Sequence, residues 1–96
     1  MNTLLINAHN ATINAANAKH TATYTAPDET AECIYRYTIA RQDNQSEEVL
    51  TQLFEQYLEA KDAEDKALKE WHILEDVKDE VCKQLAEIQF EQKIII

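Results

Sequence analysis

Apolar and small residues recur at steps of three and four from Leu50 to the end of the chain. On a seven-residue repeat the inward positions are Leu50, Leu53, Tyr57, Ala60, Glu64, Ala67, Trp71, Leu74, Lys78, Val81, Leu85, Ile88, Gln92 and Ile95, and eleven of these fourteen are apolar or alanine. Such steps place side chains on one face of an α-helix, because a turn takes about 3.6 residues. Residues 46–92 hold neither glycine nor proline. Ser46 can cap a first-turn amide, and Glu47 and Glu48 meet the positive end of the helix dipole. The pattern therefore predicts a helix beginning at Ser46, about 70 Å long if unbroken at 1.5 Å per residue.

Two forms of that helix are open. It can fold back near residues 61–65, within a stretch, 59–67, whose inward apolar positions are only alanines, and Asp62 is a suitable second cap. Or it can stay straight and bury its stripe against a second copy, as a coiled-coil-like homodimer with Glu64, Lys78 and Gln92 setting the register. In either form Leu53, Tyr57, Trp71, Leu74, Val81, Leu85 and Ile88 are the core or dimer seam.

The first half is less regular. Residues 3–19 are rich in asparagine and alanine and place Leu5, His9, Ile13 and Ala16 on one face of a short helix. Residues 21–25 and 32–40 are rich in β-branched and aromatic types, and residues 26–30 between them carry the Pro and Asp of a type I turn. A β-hairpin is the leading expectation, with Cys33, Tyr35, Tyr37 and Ile39 on one face and the long helix beneath, since a lone hairpin is unstable in water. The competing expectation is a helix starting at Pro27, with Asp28 and Glu29 in its first turn, Ala31, Ile34, Tyr35 and Ile39 on its buried face, and Arg41 at its end. Ile94, Ile95 and Ile96 suit a third strand or a dimer anchor. The expected fold is thus α-rich α+β in a single domain over residues 1–96: helix and hairpin in 1–45, an acidic helix or helical hairpin in 46–96. A wholly helical bundle is the alternative.

Charge narrows the function classes. The net charge is −9, and residues 47–96 account for −8 of it, with fourteen acids against six lysines. This disfavours nucleic acid and anionic membranes as partners and favours a basic protein. The chain has no glycine, which removes the loops that cradle phosphate. Its only serine, Ser46, is already a cap, and Cys33 and Cys82 have no paired spacing, as expected of idle thiols in a reducing cytoplasm. His72, Glu75, Asp76 and Asp79 converge on one helix surface, yet Lys69 stands where a di-iron pattern needs glutamate. No cofactor, metal or catalytic residue is expected, and no stretch suits a signal peptide or a membrane span. A cytoplasmic location follows, in a host's cytoplasm if the chain is phage-encoded.

The acidic face remains as the candidate site: Glu55, Glu59, Asp62, Asp65, Glu75, Asp76, Asp79, Glu80 and Glu87. Asp62 with Lys66, Asp65 with Lys69 and Asp79 with Lys83 have the spacing of ion pairs, leaving Glu75, Asp76, Glu80, Glu87 and Glu91 in surplus. In size, acidity and lack of catalytic motifs the chain resembles the small acidic anti-defence proteins of phages, anti-CRISPR and anti-restriction proteins among them. That resemblance implies a non-catalytic inhibitor that binds a defence nuclease directly or occupies its nucleic-acid channel. A structural adaptor that homodimerises through the seven-residue stripe is the alternative.

Overall fold

The computed structural model describes residues 2–95, with side chains described over residues 3–91. Three α-helices follow one another: α1 (Asn2–His20), α2 (Ala26–Gln42) and α3 (Glu47–Ile95). A π-helical turn, Thr21–Thr25, joins α1 to α2, so the first two helices form one arm and α3 the other. The arms fold against each other into a rod of 76 × 16 × 14 Å.

The expected α+β fold is therefore wrong: among the described residues there is no strand, and residues 21–41 are helical. Pro27 stands in the first turn of α2, followed by Asp28 and Glu29, with Arg41 in the last turn, which is the charge order a helix dipole favours. The threonines that suggested a strand are accommodated by bonding back to the preceding turn. Thr23 Oγ1 donates to the Lys19 carbonyl at 2.7 Å and Thr38 to Ile34 at 2.8 Å. Of the four residues expected on one strand face, Cys33 and Tyr37 are half-buried while Tyr35 and Ile39 are exposed. The third strand fails too, because the backbone of Ile94 and Ile95 continues α3; Ile96 lies outside the described residues.

The reversal between the arms is built without glycine. Asn44 takes the left-handed conformation, φ 55°, which asparagine tolerates better than most residues. Its N–H donates to Arg41 O at 3.2 Å and that of Gln45 to Ala40 O at 3.1 Å, the paired bonds of a Schellman ending. Ser46 then caps α3, its Oγ accepting from Val49 N at 3.3 Å.

α3 is one helix of 49 residues. Asp62 starts no second helix; it pairs with Lys66 at 3.0 Å, and Lys61 reaches both Glu64 and Asp65 at 3.8 Å. Such pairs one turn apart hold the alanine-lined middle helical. Every stripe position from Leu50 to Ile88 is half-buried, and what covers it is the chain's own first arm. Thr30 Oγ1 donates across to the Ala60 carbonyl at 3.3 Å, Tyr37 meets Phe54 at 5.5 Å between ring centroids, and the Lys19 ammonium lies over Trp71. Movement up one arm is movement down the other.

The first arm presents a small-residue seam to these large side chains. Leu4, Ala8, Ala11, Ala15, Ala18, Ala22, Ala26, Thr30, Cys33, Tyr37 and Ala40 are its buried and half-buried positions, apart from Pro27 beside Ala26. Among the described residues only alanines are buried: Ala8, Ala15, Ala22, Ala26 and Ala40. The face expected to pack, Leu5, His9, Ile13 and Ala16, is exposed throughout. Two helices meeting along a line of alanines approach closely, but they enclose no large side chain.

Candidate interaction surfaces

The outward side of α3 carries the acidic residues. Asp62, Asp65 and Asp79 are exposed and paired, Asp65 with Lys61 where Lys69 was expected, and Asp79 with Lys78 at 3.7 Å where Lys83 was expected. Glu75 is half-buried and bonded to Lys78, so it does not belong to the surplus. Among the described residues Glu55, Glu59, Asp76, Glu80 and Glu87 are exposed and form no ion pair. These five acids are spread along one helix, and Glu47, Glu48, Glu70 and Glu91 of α3 are likewise exposed and outside any ion pair among the described residues.

Where the first arm crosses the middle of α3, a mixed cluster forms around Trp71. Lys19 Nζ lies 5.9 Å from the indole centroid, and the His72 ring stacks on the indole at 5.0 Å. A cation over an aromatic face is attracted by the ring quadrupole, so Lys19 ties α1 to α3 at this point. Among the described residues the Trp71 indole N–H is shielded from solvent and has no hydrogen-bond partner within normal bonding geometry. Glu75, one turn on, is the nearby carboxylate on which that donor acts, favouring its charged form. The hydrogen bond from Lys78 holds the Glu75 carboxyl below its ordinary value of 4.5, and Glu75 in turn raises Lys78 above 10.5.

The two shifts define a pH window. A lowered carboxylate contributes stability above its ordinary value and loses it as pH falls through the folded value; a raised ammonium contributes below its ordinary value and loses it as pH rises through the folded one. The pair is therefore fully formed between about 4.5 and 10.5. A carboxyl carbon NMR titration should place the Glu75 midpoint below 4.5, and the Lys78→Met variant should raise it. A Glu75 midpoint that Lys78→Met leaves unmoved would show that the pair does not form in solution.

Sequence reasoning passed over the asparagines. Asn7, Asn10, Asn14 and Asn17 are exposed and step by three and four along one flank of α1. They border two open grooves against α3, of about 410 Å³ beside Ala67, Glu70 and Leu74 and about 310 Å³ beside Leu74, Val77 and Val81, which share Asn14 and Leu74. A third hollow, about 550 Å³, lies over Leu5, Ile6, Ala8, His9 and Thr12. The signal was the spacing of the four amides, which a search for hydrophobic periodicity does not score. Near the turn Phe54 lies between Tyr37 and Tyr57, with ring centroids 5.5 and 5.9 Å away.

Cys33 is half-buried on the first-arm seam and Cys82 exposed on α3, both as free thiols. Among the described residues no three metal-ligating side chains come together; His72 is stacked on Trp71, and Glu75 and Asp79 are bound to Lys78. No helix of the described residues is long and apolar enough to cross a membrane. Comparison of the chain with protein-family models, curated proteins and solved structures finds no match.

Proposed function

We propose that this chain is a non-catalytic interaction protein whose acidic α3 face binds a basic partner. The observation that carries the reading is the row of exposed carboxylates on α3 outside any ion pair among the described residues, Glu55, Glu59, Asp76, Glu80 and Glu87 among them. A preformed charged face loses little entropy on binding and steers encounter with a surface of opposite sign.

Charge density decides which kind of basic partner. Residues 47–96 carry −8 along a helix of about 75 Å at 1.5 Å per residue, one net charge per roughly 9 Å against one per about 1.7 Å in duplex DNA. That density is too low for the face to stand in for a whole nucleic-acid backbone. It suits a limited basic patch, such as the lip of a nuclease channel, and blocking that patch would inhibit the nuclease. A phage-defence nuclease fits this description, in keeping with the resemblance of the chain to anti-defence inhibitors.

The test is a binding and inhibition series against purified CRISPR and restriction nucleases between 50 and about 300 mM salt. Affinity for a true partner should fall steadily with salt. The variant Glu55→Gln, Glu59→Gln, Asp76→Asn, Glu80→Gln, Glu87→Gln should bind at least about tenfold more weakly, because rim charges act through long-range attraction. Salt-independent binding, or full affinity in the neutralised variant, would refute the acidic-face reading.

A further inference from the structure

The hairpin leaves more surface in water than a chain of its size can keep as a compact monomer. Its accessible surface is 7335 Å², whereas a folded monomer of 11.1 kDa exposes about 5,700 Å² by the usual scaling. The excess, roughly 1,600 Å², is spread along a rod of 76 × 16 × 14 Å and exceeds the ~800 Å² that each partner buries in a standard stable interface. Apolar residues contribute heavily to it: Leu5 is 53 %, Ile6 58 % and Ile13 44 % exposed on α1 alone. The alanine seam uses the other face of α1, so this face has no partner within the chain.

Charge selects where a second copy can dock. Carboxylates punctuate the exposed flanks of α3, and bringing two such helices together would set like charges side by side. The chain has no acidic residue before Asp28, and α1 carries Lys19 as its one Lys or Arg. The stripe of α3 that would make a coiled-coil dimer is already taken by the first arm. From these three observations we infer that the protein is a two-fold homodimer whose copies meet through the outward face of α1, around Leu5, Ile6, His9 and Ile13. A two-fold interface is isologous, the same patch serving both copies, and the result is a layer of four helices at that end of the rod with the two α1 helices in its middle. Leu5, Ile6 and Ile13, which the hairpin alone leaves exposed, are then buried between the two copies. The acidic faces of α3 are left outward, which keeps this inference independent of the proposed partner.

The experiment is sedimentation velocity on the full chain at about 50 μM, backed by circular dichroism. The natural chain should sediment at twice its 11.1 kDa mass. I6E/I13E should be monomeric, since each copy then places two charges opposite two of the same sign. Should that variant lose its helix signal, an equimolar mixture with I6K/I13K must restore both helix and dimer mass, because opposite charges now face each other. L58E, on α3 near the turn, must remain dimeric. A natural chain that stays monomeric overturns the inference, as does a dimer that persists in I6E/I13E, a mixture that restores nothing, or a dimer that L58E abolishes.

Discussion

Replacing Ala15 with leucine should lower the midpoint of thermal unfolding by roughly 10 °C, while the same change at Ala31 should leave it within about 2 °C. Ala15 is 2 % exposed, the most buried of the described residues, whereas Ala31 sits on the solvent side of the same arm. Both substitutions add the same three carbons to a helix, and leucine is nearly as good a helix former as alanine. Only at Ala15 must the added atoms fit between two backbones already drawn together. Overpacking of this kind costs about 1–3 kcal/mol, and each kcal/mol moves the midpoint of a domain this size by about 4–8 °C. Differential scanning calorimetry on the two variants checks it. Equal midpoints would mean that the arms are not held at alanine distance.

The alanine seam also explains how much of this fold was legible beforehand. α3 could be read because its seam consists of large residues, Leu53, Tyr57, Trp71, Leu74, Val81, Leu85 and Ile88, at regular spacing, and because Ser46 announces its start. The matching seam of the first arm is mostly alanine, which contrasts little with the asparagines and threonines beside it. The bulkier Leu5, Ile6 and Ile13 lie off the seam, so weighting by hydrophobicity chose the exposed face. In residues 21–41 local preference favoured strands, but a helix along the full length of the arm covers more of α3, and tertiary burial overrode the preference. The acidic face was legible as a list of residues, while the ion pairing was not. Sequence spacing allows Asp65 to reach Lys61 or Lys69, and Glu75 to reach Lys78, and only side-chain direction decides among them.

A residue deleted from the first arm should be tolerated where one deleted from α3 is not, and the contrast tests why the first arm contains a π turn. From Leu4 to Ala22 the seam steps alternate between four and three, and they alternate again from Ala26 to Ala40. Between Ala22 and Ala26 the step is four where the alternation requires three, so the arm holds one extra residue there. In an unbroken α-helix that residue would swing everything beyond it by about 100° and turn one half of the seam away from α3. The π turn absorbs it: Ala26 N–H donates to the Thr21 carbonyl, five residues back, so one turn takes up an additional residue. Pro27 helps to fix the location, because it has no N–H to offer Thr23. Deleting Thr25 while replacing Pro27 with alanine removes both the surplus residue and the proline. The arm should then become uninterrupted α-helix with its seam in line, and its unfolding midpoint should stay level or rise by up to about 10 °C. Deleting Ala63 from α3, an exposed residue in a helix with no surplus, should rotate half the stripe off the first arm and lower the midpoint by more than about 10 °C. If the Thr25 deletion is as damaging as the Ala63 deletion, the π turn is not what keeps the two halves of the arm in register.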